Sequence, residues 1–238
     1  MDNVGYVGLS RQAGLARELD TIANNIANVN TGGFRRESVL FAEYVKQLDG
    51  GDDSLSIATL NRRFIDFSEG EVKATGSPLD FAIDGDGFFL VESPDGPRLT
   101  RAGSFSLNAS GEIVNSDGRR VLDESGGALL IPPQASLIAA SPDGTITADG
   151  QPVGRLGVVI ADPETLVREG DNLFRADEGY EPATTAKVRQ GAIESSNVNP
   201  ITEIAHLIEV QRAYEMGQKF LEGDDQRIER AVRELGQT

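Results

Sequence analysis

The sequence predicts an α+β fold, in which N- and C-terminal helices pair as a coiled coil around a central, mainly antiparallel β domain. Three observations carry that prediction. Between Pro200 and Leu235, Leu207, Tyr214, Leu221, Ile228 and Leu235 recur every seventh residue, with Ile204 and Val210 beside them at helical spacing. Near the other end Leu15, Leu19, Ile22, Ile26 and Val29 step by four, three, four and three, a second heptad seam. Between Ser68 and about Gly191 the period shortens to strand-length apolar runs separated by Asp-Gly and other glycine turns.

In chain order, a helix is expected from about Gly5 to Val29, with Ala13, Ala16, Ala23 and Ala27 favouring it and Gly8 and Gly14 weakening its first turns. It runs into Asn24, Asn25, Ile26, Ala27, Asn28, Val29 and Asn30. So many asparagines disfavour an isolated helix, because each amide competes for local backbone bonds. Either the helix frays there, or the amides pair across copies in a packed assembly. Gly32 and Gly33 then supply a chain reversal, and Phe34 an anchor after it. Residues 31–67 read as a connector. Val39 to Leu48 suits a short helix or strand, Gly50 to Asp53 a loop, and Ile57, Leu60, Phe64, Ile65 and Phe67 partial burial.

The expected strands of the β domain include Leu79–Ile83, Phe88–Val91, Leu129–Ile131, Leu137–Ala139 and Leu156–Ile160, and Asp84-Gly85-Asp86-Gly87 is read as a hairpin turn. In the last helix, Pro200 fits a first turn, where its missing N–H has no intrahelical acceptor, and Glu203 complements the positive end. At ~1.5 Å per residue this helix spans roughly 50 Å, more than a domain of this size needs. Its apolar seam therefore wants a partner helix. Gly217, Gln211, Gln218, Asp224 and Asp225 fall on or near the seam, which suits packing among many helices better than a two-stranded zipper. The organisation is thus 1–30 N-terminal helix, 31–67 connector, 68–191 β domain and 192–238 C-terminal helix.

Composition bounds the function. With 22 Lys and Arg against 38 Asp and Glu, the net charge of -16 argues against nucleic acid and against anionic lipid, both of which are bound through clustered cations. The absence of cysteine excludes disulfides, thiolate metal sites and cysteine nucleophiles. No apolar run approaches the ~20 residues of a membrane span, so no membrane insertion is expected. The first residues lack a basic region followed by an apolar core, so the chain is expected to be cytoplasmic or exported without a cleaved signal peptide.

Chemistry is hard to find. The single histidine, His206, has no nearby cluster of ligands. The Asp84–Gly87 run lacks the later ligands of a calcium loop, since Phe88 and Phe89 stand where an oxygen donor and a glycine are required. No nucleophile-elbow, Walker or dinucleotide pattern is present. No catalytic residue, cofactor site or metal site is predicted; an enzyme would need two converging carboxylates in a pocket.

Four ordered blocks resemble a known family. Asn24 to Phe34 (NNIANVNTGGF) resembles the N-terminal signature of the axial proteins of the bacterial flagellum, the rod and hook group. Ser68 to Val91 (SEGEVKATGSPLDFAIDGDGFFLV), Thr100 to Phe105 (TRAGSF) and Gln190 to Tyr214 (QGAIESSNVNPITEIAHLIEVQRAY) are similar to three further blocks of that group. The short connector and total length are more like the proximal-rod members than the longer distal-rod and hook members.

The resemblance implies a structural, non-enzymatic subunit whose terminal helices line a tubular rod. It also implies export through the flagellar type III apparatus, residence in the periplasmic part of the basal body, and partners among other rod subunits and copies of itself. The residues expected at subunit contacts are Leu15, Leu19, Ile22, Asn24, Asn25, Ile26, Asn28 and Phe34, with Ile204, Leu207, Tyr214, Leu221 and Ile228. The rival expectations are a distal-rod subunit of the same family and a secreted β-domain binding module dimerised by its helices.

Overall fold

The computed structural model describes residues 2–46 and 55–235. It is an α+β structure with mainly antiparallel pairing, and the chain forms two compact units. The first contains Met1–Asn28, Arg36–Asp66 and Val198–Thr238; the second contains Val29–Arg35 and Phe67–Asn197.

The first unit holds helix α1 (Asp2–Ala27), strands β1 (Glu37–Lys46) and β2 (Leu55–Ile65), and helix α2 (Pro200–Leu235). Where the sequence reading leaves a connector, β1 and β2 pair antiparallel from Glu37 opposite Ile65 to Lys46 opposite Leu55, with a register shift between Leu40 and Phe41. The loop expected at Gly50–Asp53 lies outside the described residues. Helix α1 packs on α2 and on both strands.

The two helices run antiparallel: Gly8 lies against Leu221, Gln12 Nε2 donates to the Tyr214 carbonyl at 2.9 Å, and His206 Nε2 lies 3.2 Å from Glu18 Oε1. Gly217 leaves room for the Gln12 amide, since a Cβ there would stand 2.3 Å from Gln12 Nε2. Asn199 caps α2. Its Oδ1 accepts from the backbone N–H groups of Ile201 at 3.0 Å and Thr202 at 3.2 Å, and Pro200 follows at the first helical position.

The core of the second unit gathers Phe81, Phe89, Phe105, Ile113, Ile131 and Leu156, with the Phe89 and Phe105 rings edge to face at 5.4 Å. Its largest sheet has six strands in the order Leu166–Glu169, Leu173–Ala176, Arg98–Thr100, Phe88–Val91, Val158–Ile160 and Glu181–Pro182. A three-stranded sheet forms from Ile138–Ala140, Thr145–Ala148 and Gln151–Arg155. Leu129–Ile131 contributes isolated bridges in place of the expected regular strand: Leu130 pairs with Glu112 and neighbouring Ala128 with Leu122.

The turn at Asp84–Gly87 corrects the hairpin expectation. It follows Phe81–Asp84, which pairs with Lys187–Gln190, and precedes Phe88–Val91, which belongs to the six-stranded sheet. The strands on its two sides are therefore not partners. Its carbonyls are turned inward instead, and those of Gly85 and Gly87 accept from Arg101 Nη1 at 2.9 and 2.7 Å.

The capping of α2 is testable. Asn199→Ala should destabilise the first unit by about 1 kcal/mol, read as an earlier loss of the helical signal on heating the full chain. An unchanged midpoint would show that Pro200 and Glu203 start the helix unaided.

Candidate functional site

The asparagine-rich signature, the Arg-containing block at Thr100–Phe105 and the block starting at Gln190 meet at two buried carboxylates, one in each unit. In the first unit the carboxylate is Glu203, in the first turn of α2 and 1% exposed. Its Oε2 accepts from Asn25 Nδ2 at 3.1 Å, and its Oε1 from Arg36 Nε. Asn25 Nδ2 also donates to the Glu37 carbonyl at 2.7 Å, and Asn25 Oδ1 accepts from Glu37 N–H at 2.9 Å. One amide thus joins the end of α1, the start of β1 and the start of α2.

Asn25, one of the residues expected at contacts between copies, has both ends of its amide engaged within the chain. Asn24 and Asn28 pair with each other, Asn28 Nδ2 donating to Asn24 Oδ1 at 2.8 Å and to the Asn24 carbonyl at 2.9 Å.

In the second unit the carboxylate is Glu194, 2% exposed. Its Oε1 accepts from Arg35 Nη1 at 2.6 Å and from Gly70 N–H at 2.8 Å; its Oε2 accepts from Arg101 Nε at 2.7 Å. The Glu194 carbonyl accepts from Gly33 N–H at 2.8 Å. Gly33 has φ +67, and a Cβ there would stand 2.3 Å from the carbonyl carbon of Arg101. No other residue fits both conditions.

Phe34 is buried in the same unit. The Arg168 guanidinium lies 4.5 Å from its ring centre and 5.0 Å from that of Phe174, while Arg168 Nη2 donates to the Arg35 carbonyl. Burial pulls the Arg35 guanidinium below its ordinary pKa and neighbouring Arg101 adds to this, while Glu194 opposes both. With two arginines and a backbone N–H on its oxygens, Glu194 has three of its roughly four acceptor sites engaged within the unit.

The remaining residues expected at contacts divide by face. Ile22 is buried, and Leu15, Leu19, Ile26, Leu207, Tyr214 and Leu221 are half-buried. Ile204 lies away from this seam, 48% exposed, beside exposed Ile201 and Ile208. Ile228 is exposed as well: with Gly8 against Leu221, α1 runs out before the next heptad. Sequence reading missed Arg35, Arg36, Arg101, Glu194 and Glu203 as a set. Their signal was present, in two adjacent arginines after the signature, Arg101 in the Thr100–Phe105 block, Glu194 in the strand of the last block and Glu203 in the first turn of its helix.

Comparison with known proteins decides what this arrangement belongs to. Residues 6–35 match the family described as flagella basal body rod protein, residues 82–148 the flagellar hook protein FlgE/F/G D1 domain, and residues 189–234 the flagellar basal body rod FlgEFG protein C-terminal region. The flagellar basal-body rod protein FlgF of Caulobacter vibrioides is 41% identical, with 99% of each chain covered.

The chain belongs to the flagellar basal-body rod protein family.

FlgF of Mesorhizobium japonicum is 38% identical over 97% of each chain, and FlgG of Bacillus subtilis 33% identical over 95% of this chain and 97% of its own. Within the rod family the resemblance is thus stronger to these FlgF proteins. The chain is a structural subunit of the flagellar basal-body rod, and its family is not one of enzymes. Among the described residues, no group of three His, Cys, Asp or Glu is placed to hold a metal ion.

The two buried carboxylates differ in a measurable way. Arg35 and Arg101 are both 2% exposed, whereas Arg36 is 30% exposed. Glu194→Ala strands two buried cations and should cost about 3–5 kcal/mol; Glu203→Ala should cost less, since Arg36 can turn into water. Urea unfolding of the full chain measures both, and equal losses would contradict the assignment.

Proposed function

We propose that this rod subunit assembles through its terminal helices into the torque-transmitting tube of the proximal rod. Copies of itself and other rod subunits supply the neighbouring helices. The observation that carries this reading is a second apolar stripe on α2. Glu203, Val210, Gly217 and Leu221 face α1, but Ile201, Ile204, Ile208, Met216 and Phe220 lie exposed on other sides, Ile201 to 79% and Met216 to 66%. Each such side chain contributes roughly 1.5–3 kcal/mol when fully buried. A helix with one face on its own partner and another in water is suited to a multi-helix wall, where coiled-coil packing is completed between chains.

The exposed Ile228 and Val232 continue the seam of Leu221 on the other side of α2 and add apolar surface there. Family membership further supports export through the flagellar type III apparatus and residence in the periplasmic part of the basal body. The acidic net charge of -16 favours protein partners over nucleic acid.

Two variants separate the inner from the outer face. Ile204→Asp with Ile208→Asp should leave the helical circular dichroism of the isolated chain unchanged and abolish its incorporation into purified basal bodies. Leu221→Asp should lower the helical signal itself. Normal rod incorporation of the Ile204/Ile208 double variant would overturn the reading.

A further inference from the structure

Val29–Arg35 belongs to the second unit, while the chain up to Asn28 and again from Arg36 belongs to the first. Both ends of this excursion are pinned within the first unit, because the Asn25 amide holds the Glu37 N–H at 2.9 Å and the Glu37 carbonyl at 2.7 Å. The segment is therefore a loop closed at its base, with its tip in the second unit.

Without this loop the second unit keeps its core and its charge balance. The apolar core is built from residues between Phe81 and Val188. Arg101 and Glu194 pair at 2.7 Å, Gly70 N–H reaches Glu194 Oε1 at 2.8 Å, and the Gly85 and Gly87 carbonyls accept from Arg101. Arg35 thus comes in on the loop as a second cation for one carboxylate. Its Nε–H is buried with no acceptor among the described residues, and Asn172 Oδ1 is buried with no donor. Lifting the loop returns Arg35 to water and uncovers the Asn172 amide, so closure carries two unmet polar atoms that the open form does not.

A few contacts hold the tip down. Arg168 lies over the Phe34 ring, Gly33 N–H donates to the Glu194 carbonyl at 2.8 Å, and Asn197 N–H donates to the Phe34 carbonyl at 3.3 Å. Asn172 Nδ2 donates to the Gly32 carbonyl at 3.0 Å. Asn172 does so from a strained turn: Asp171 and Asn172 have φ +59 and +57, and Leu173 N–H closes on the Gly170 carbonyl at 3.2 Å. Thr100 Oγ1 on the Asn172 carbonyl and Arg119 on Asp171 keep the turn in that shape. Glycine suits such a turn better, but it gives up the bond to Gly32.

We propose that Val29–Arg35 is a strap that opens from, and closes on, a second unit that stays folded in both states, with Asn172 as its clamp. The chain between α1 and β1 can then be loose or fixed without either unit unfolding. This opening is a property of the single chain and needs no neighbouring subunit.

Amide hydrogen exchange of the full chain, read by NMR at Gly33, Phe81 and Val121, tests the strap. The Phe81 and Val121 N–H groups are bonded inside the second unit, to the Gly103 and Ile113 carbonyls, each at 2.8 Å. Gly33 should be about a hundredfold less protected than either. Phe34→Ala should lower the protection of Gly33 by a further factor of roughly ten and leave Phe81 and Val121 unchanged. Asn172→Gly should also lower it at Gly33, although the substitution relieves the turn. Three results would each overturn the proposal: Gly33 as well protected as Phe81 and Val121, Phe34→Ala speeding exchange at all three alike, or Asn172→Gly leaving Gly33 as it was.

Discussion

The constraint on which the second unit depends is a carboxylate buried between two buried arginines. Glu194 could not be placed there alone, and neither could Arg35 or Arg101, because an isolated charge out of water is strongly disfavoured. Together they hold one geometry, and the rest of the local chain follows from it. Gly33 must present its N–H to the Glu194 carbonyl, Gly70 must present its own to Oε1, and the Asp84–Gly87 turn must point carbonyls at Arg101. Segments far apart in sequence are fixed by polar bonds that allow no sliding. Apolar packing by itself is less exact, since hydrophobic contacts are non-directional.

The first unit repeats the device around Glu203. Its buried residues include Ile22, Val198 and Val210 beside the polar Gln12, Thr21, Asn25, Glu37 and Glu203. Much of the apolar surface of α2 remains in water. Such a unit has its register set by hydrogen bonds and its stability left to be increased by burial elsewhere. That division suits a subunit of a rod, whose family membership the sequence comparisons establish.

Local periodicity made much of the fold readable. The two heptad patterns, the alternation of strand-length runs with glycine turns, and Pro200 with Glu203 at a helix start all act within a few residues of themselves, and Phe88–Val91 is a strand as expected. The misreadings have one cause. Asp84-Gly85-Asp86-Gly87 has the composition of a hairpin turn, yet Arg101 and the strand Lys187–Gln190 decide how it is used. Which side of α2 turns inward is decided in the same way: Glu203 takes the inward position because Asn25 and Arg36 meet it there, and neighbouring Ile204 stays exposed.

The sequence by itself determined the elements, their order and the family, because propensity, period and motif are properties of short stretches of chain. Only the tertiary structure decided which asparagine is consumed inside the molecule, which face of α2 meets α1, and which glutamates of the last block are buried. Those choices turn on bonds between residues such as Asn25 and Glu203 or Arg101 and Glu194, separated by most of a hundred residues or more. A buried charge has to find its counter-charge in space, and spacing along the chain carries no record of where that partner lies.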